Sequence, residues 1–393
     1  MKVSLKVFKM NSLYSGLTLF TFFILMQLTT WLPLRFWKIW GGGNFIDSQL
    51  ILHWSKCYKV QGNSIFQNYG ECSGYIYGSA LMQALSYLNI TPSSTQLFGY
   101  TFMFLLAIAM SYQTGNLEKL RTNPYVLTIL ISPPTLLLAE RANFDILILV
   151  LVALSGLLFT KNYQSWALLP LAIATLLKFY TLPLFLLFFL LNDNNRRRLM
   201  TLIMGAVVAL RVYLDLKLIQ SSFPSGSGAK FGVSIWTRYI HAVTVSELGE
   251  VISNLSGVLI FIVIFALTSI VLKRMHISIL SGSIGDDKKK IYFYLFFGTH
   301  LSCYFLGMNY DYRLVFFAMA STIYLYSFVS KREILHKVVL VMTILSLWLT
   351  YPSSGLEPIG DLATEIVTVI LCIKLIQLLK YDFKMRSIKS SSW

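Results

Sequence analysis

Residues 165–191 read SWALLPLAIATLLKFYTLPLFLLFFLL, an apolar stretch broken around Lys178 and Pro183. As one tilted helix it would suffice for a single crossing, since ~30 Å of hydrocarbon takes about 20 residues. The flanking charges argue otherwise. Lys161 stands before the stretch and Arg196, Arg197 and Arg198 follow it, and Lys and Arg collect in cytoplasmic loops. Both ends then lie inside, which only an even number of passes permits. Two short helices are therefore expected, meeting at an outward turn that carries Lys178, a geometry tolerated where the turn lines a polar cavity and not lipid.

The same reading extends in both directions. The first apolar run, 12–33, follows Lys2, Lys6 and Lys9 and has no small-residue cleavage site before Trp31, so it reads as an uncleaved helix with its N-terminus inside. An outer loop, 34–95, carries short interfacial stretches at 45–58 and 75–88. Helices are then expected at 95–113, 124–139 and 144–160, and beyond the hairpin at 199–217, 252–272, 291–308, 314–329, 338–350 and 362–379, with a cytoplasmic tail over 380–393. The expectation is an all-α, polytopic integral membrane protein of about 12 transmembrane helices. It forms a single multi-pass domain over 1–393: first helix 1–33, outer loop 34–95, bundle 96–379, tail 380–393.

Composition excludes the soluble classes, because 56% hydrophobic against 13% charged residues leaves too little polar surface to solvate a globule of this length. The net charge of +16 would suggest nucleic acid in a soluble chain. In this topology the whole excess falls on the cytoplasmic side, so membrane orientation explains it and no nucleic-acid partner is expected.

Ionisable groups at the membrane edge are costly and therefore informative. Asp47, Glu140, Arg141, Asp145, Lys178, Arg211, Asp215, Arg238, Asp311 and Arg313 come from distant parts of the chain yet share the outer face in this topology. Several cations beside a carboxylate suit a lipid-linked phosphate as leaving group, with Arg offering a bidentate fork and the carboxylate acting as general base on an acceptor hydroxyl. Cys57 and Cys72 share the outer loop. Two readings stay open for them: a bridge that holds the loop by roughly 3 kcal/mol, or two unpaired thiols. No His or Cys spacing marks a metal site.

The segment Arg141-Ala142-Asn143-Phe144-Asp145, an apolar helix, and Lys178-Phe179-Tyr180 leading to Pro183 resemble the Arg-Gly-Asn-x-Asp and Lys-x-x-Pro segments of glycosyltransferase family 87. The outer loop is similar too, with Asp47 shortly after the first helix and Tyr75-Ile76-Tyr77 before the second, as is Asn309-Tyr310-Asp311-Tyr312-Arg313 late in the chain. The resemblance implies a GT-C-class fold and transfer of a hexose, mannose in the usual case, from a polyprenyl-phosphate donor with inversion. Asp47 would be the catalytic base, and Lys178 and Arg141 donor-phosphate contacts; Asp145 at the helix mouth, and Arg211, Arg238 and Arg313 by their shared outer face alone, are further substrate-binding candidates. Ala142 stands where the family has Gly, and Thr181 where Pro is common. Asp47 has no Asp-x-Asp neighbour, so no metal or other cofactor is expected.

Plainer roles compete with these. Asp47 suits an N-cap of the stretch after it, and Arg141 and Asp145 can satisfy one another at the mouth of a helix pair, with Asp145 favoured by the helix dipole. The abundant aromatics make an interfacial belt. The expected partners are the polyprenyl-phosphate sugar, a glycolipid or glycan acceptor and the bilayer. The expected location is a bacterial inner (plasma) membrane with both termini cytoplasmic. Two other functions fit the same charges, a lipid-linked sugar flippase or transporter and an envelope polysaccharide polymerase. Sparse mid-membrane charge speaks against the transporter.

Overall fold

The computed structural model describes residues 14–25, 45–62, 78–114, 124–219, 249–274, 287–305, 313–327, 334–350 and 356–391. They are helical, with no strand among the described residues. In chain order the helices are α1 Tyr14–Leu25, α2 Ile46–Gln61, α3 Ser79–Tyr87, α4 Thr95–Thr114, α5 Pro124–Leu130, α6 Pro133–Arg141, α7 Asp145–Thr160, α8 Gln164–Leu177, α9 Leu184–Leu191, α10 Asn195–Ile219, α11 Gly249–Arg274, α12 Asp287–Phe305, α13 Leu314–Ser327, α14 Ile334–Leu349 and α15 Glu357–Ser391. Among the described residues three helices are long and apolar enough to cross a membrane, or up to four if α6 and α7 form one bent span. The chain is thus a membrane protein, and further crossings would have to use shorter apolar helices such as α8 and α14.

Backbone contacts divide the chain into two compact units, Met1–Asn123 with Thr135–Ser227, and Pro124–Pro134 with Gly228–Trp393. In the first unit α1 runs antiparallel to α4, with Phe20 edge-on to Phe104 at 5.4 Å and Gly16 so close to Ile108 that a Cβ would stand 2.5 Å from its side chain. The opposite end of α4 meets the start of α7, where Phe102 lies edge-on to Phe144 at 5.0 Å. Small residues let α7 and α8 approach closely: the Ser155 hydroxyl donates to the Ala167 carbonyl at 2.6 Å, the kind of contact that drives helix association in lipid.

The expected hairpin is present. Helix α8 stops at Lys178, whose backbone is extended (φ −146°, ψ 119°), and α9 begins after Pro183. At 14 and 8 residues these helices rise only about 21 and 12 Å. Their directions follow from α10. Arg197 at the start of α10 donates to Gln164 at the start of α8, 2.5 Å away. At the other end, Leu176 of α8 and Asp215 of α10 both crowd Gly78, where a Cβ would stand 2.1 Å from the Leu176 carbonyl oxygen and 3.4 Å from the Asp215 carboxylate. Helices α8 and α10 are therefore parallel, and α9 returns between them. The Arg196–Arg198 run lies at one end of the unit and Lys178 at the other.

Some boundaries differ from expectation. The helix expected over 124–139 is split into α5 and α6 at Pro133 and Pro134, since Pro lacks an N–H donor and disfavours α geometry in the residue before it. The tail over 380–393 is not separate: α15 continues through it to Ser391, because residues such as Lys, Met and Arg sustain a helix.

In the second unit α5 meets α14, the Trp348 indole donating to the Thr128 carbonyl at 3.1 Å. Phe261, Tyr304 and Val369 form a core there. Buried ionisable groups also lie within its apolar helices: His300 and Thr368 are 3.0 Å apart, Tyr304 donates to Glu365, and Lys374 is fully buried. Ionisable groups are therefore not confined to helix ends among the described residues.

Candidate functional site

The chain turns 110° between α6 and α7. Ala142 makes that turn with a left-handed backbone, φ 45°, and Phe45, the residue before α2, is left-handed as well at φ 65°. Such conformations cost an L-residue of order 1–3 kcal/mol each and persist where surrounding structure enforces them. Here two cross-bonds tie the strained residues together: Phe45 N–H donates to the Glu140 carbonyl at 2.9 Å, and the Ser48 hydroxyl donates to the Ala142 carbonyl at 2.6 Å. The result carries Asp47, in the first turn of α2, against the α6–α7 corner.

Asp47 does not cap α2, since Phe45 occupies the cap position and no side chain bonds there. Its carboxylate is instead engaged across the corner. Arg141 Nε donates to Oδ1 at 3.0 Å and Oδ2 at 2.9 Å, Arg141 Nη2 donates to Oδ1, and Asn143 Nδ2 donates to Oδ2 at 2.5 Å. Arg141 therefore pairs with Asp47, whereas sequence proximity had suggested Asp145. The corner swings the two side chains to different neighbours.

Asp145 pairs with Lys178. The ammonium lies 2.6 Å from Asp145 Oδ1 with both side chains buried, and Tyr180 donates to the same oxygen at 2.8 Å. Asn143 links the two ion pairs, because its Oδ1 accepts from Lys178 Nζ at 3.2 Å and from the Asp145 backbone at 2.9 Å. The latter bond starts α7, whose dipole favours the Asp145 carboxylate in its first turn. Opposite, Thr181 ties the turn after α8, with its hydroxyl 2.9 Å from that of Thr175 and 3.3 Å from the Lys178 carbonyl. A hydroxyl thus fastens the turn at the position where a Pro would otherwise stiffen it.

Arg211 and Asp215 lie at the same end of the unit, one step away. The Ser79 hydroxyl donates to Asp215 Oδ1 at 2.6 Å and the Ser79 backbone N–H to Oδ2 at 3.1 Å, so Asp215 satisfies the start of α3 from another helix. Arg211 donates to Ser79 Oγ and sits 3.5 Å from Asp215. Arg313 belongs to the second unit, and Arg238 and Asp311 lie outside the described residues. Cys57, on α2, is disulfide-bonded, whereas Cys303 and Cys372 are free thiols. Cys72, the partner considered from sequence, lies outside the described residues. No group of His, Cys, Asp and Glu that could hold a metal occurs among the described residues.

Asn143 and Tyr180 join the site without having been singled out as contacts. Both lie inside the two motif segments, and their spacing relative to Asp145 and Lys178 was the available signal. The left-handed Ala142 explains why a Gly suits that position. An L-residue there costs roughly 1–2 kcal/mol, partly offset by the ~0.5–1 kcal/mol of backbone entropy that a Gly loses on folding. Ala142→Gly should thus raise stability by up to about 1 kcal/mol, read as a higher thermal midpoint in detergent. A lower midpoint would contradict the account of the corner. Comparison with family models, characterised proteins and solved structures finds no match to this chain.

Proposed function

We propose that the chain is a GT-C-like inverting glycosyltransferase that moves one hexose, most simply mannose, from a polyprenyl-phosphate carrier to a glycolipid or glycan hydroxyl. The observation that carries this reading is convergence. Asp47, Arg141–Asp145 and Lys178–Tyr180, three of the segments that carry the resemblance, form one hydrogen-bonded network from three separate parts of the chain.

The chemistry follows from the groups present. Asp47 takes the acceptor hydroxyl proton, the oxygen attacks the anomeric carbon from the face opposite the phosphate, and the carbon–oxygen bond to phosphate breaks with its electron pair leaving on the polyprenyl phosphate. Guanidinium and ammonium charge, from Arg141 and Lys178, offsets the charge that develops on that leaving group. No metal is required by this scheme. Two independent features support an outer-face site: the Arg196–Arg198 run sits at the opposite end of the unit from Lys178, as positive-inside orientation requires, and the disulfide on α2 belongs in an oxidising compartment.

The test is transfer of radiolabelled hexose from a synthetic polyprenyl-phosphate donor in membranes. One sugar added per acceptor supports the reading, whereas a ladder of products would mean polymerisation. A second reading, translocation of a lipid-linked sugar, draws on the buried His300, Glu365 and Lys374 within α12 and α15, since ionisable groups inside a span often mark a path. Movement of donor across vesicles without product would favour it.

A further inference from the structure

The Asp47 carboxylate is engaged on both oxygens before any acceptor hydroxyl arrives. A carboxylate offers about four acceptor sites, and three N–H donors point at them: Arg141 Nε, shared between Oδ1 and Oδ2, Arg141 Nη2 on Oδ1, and Asn143 Nδ2 on Oδ2. In this arrangement Asp47 is the counter-ion of Arg141, and the guanidinium charge opposes transfer of a proton to it. Drawing Arg141 away makes Asp47 a stronger base.

The two cations of the network differ in how readily they can change partner. Lys178 and Asp145 have side chains only 5% and 0% exposed, and Asp145 lies on the α7 corner with Tyr180 donating to the same oxygen. Removing Lys178 would strand a fully buried carboxylate. Arg141 is 22% exposed, and when it leaves, Asp47 keeps the Asn143 amide as an orienting donor. Arg is also the side chain whose planar fork exchanges a carboxylate for a phosphate with little loss of geometry.

Resting on the glycosyltransferase reading above, we propose that Arg141 is an exchange residue: the phosphate of a polyprenyl-phosphate ligand takes the guanidinium from Asp47, and only then is the base free for the acceptor. Lys178 and Asp145 form the fixed part of the site, and Asn143 positions Asp47 in both states. Donor must then bind before acceptor, and an empty site is inert toward hydroxyls, including water.

The test is modification of Asp47 by a hydrophobic carbodiimide, quantified by peptide mass spectrometry on the full-length protein in lipid vesicles. Polyprenyl phosphate should raise Asp47 modification several-fold, polyprenol of the same length should leave it unchanged, and inorganic phosphate should act only at much higher concentration. Arg141→Gln should show the raised level without ligand and no further response. Asp47 modification that stays constant or falls with polyprenyl phosphate overturns the exchange, as does inorganic phosphate matching the lipid. The wild-type comparison stands even where Arg141→Gln does not fold. Sugar transfer without a change in Asp47 modification would remove the exchange and keep the enzyme. The modification change without transfer from any donor would keep the phosphate site and remove the enzyme.

Discussion

Asp47→Asn lowers hexose transfer by roughly 10²- to 10⁴-fold, the usual contribution of a positioned general base, while the protein stays folded and still binds donor. The amide keeps one oxygen to accept from Arg141 but cannot take a proton from the acceptor. Because the amide also holds the guanidinium less strongly than a carboxylate does, polyprenyl phosphate should bind the variant at least as tightly as it binds wild type. The check is a transfer rate and a binding isotherm on the same membrane preparation at matched protein level. Equal transfer by both proteins would remove Asp47 as base. Asp145 would be a poor replacement, since its carboxylate is fully buried against Lys178, and Asp311 would become the carboxylate to examine.

The second large effect is on stability. Asp145→Ala leaves the Lys178 ammonium buried without its counter-ion, and breaking a buried pair from one side costs about 3–5 kcal/mol. The same substitution removes the acceptor of the Tyr180 hydroxyl, so the turn between α8 and α9 loses two ties to α7. Replacing the two partners together, Asp145→Leu with Lys178→Met, restores most of the lost stability because no stranded charge remains. Thermal unfolding in detergent micelles measures both. A loss no larger than that of an exposed substitution, about 0.5 kcal/mol, would mean that the pair does not hold the turn.

How far the sequence reaches is visible in particular residues. The α8–α9 hairpin was legible because Lys161 and Arg196–Arg198 put like charge at both ends of the apolar stretch, which argues for an even number of passes whatever the packing. The residues that meet at the α6–α7 corner were legible as candidates, since Asp47, Arg141, Asp145 and Lys178 are charges at the edges of apolar helices, where the cost of burial marks them out. Their pairing was not. It depends on the left-handed turns at Phe45 and Ala142, and neither residue type advertises that conformation. The break between α5 and α6 had a signal in Pro133-Pro134 that the apolar run on either side masked. The buried groups of the second unit escaped notice because His300 and Glu365 find their partners, Thr368 and Tyr304, across a long sequence separation. No local spacing rule reaches that far.

The account's central claim is transfer of a single sugar by direct displacement at the Asp47 network. The measurement that tests it most directly is the anomeric configuration of the product formed by wild-type protein from a polyprenyl-phosphate hexose of known configuration, read by NMR. The account predicts one hexose per acceptor with the configuration inverted. Retained configuration, or no hexose leaving the donor at all, would contradict it.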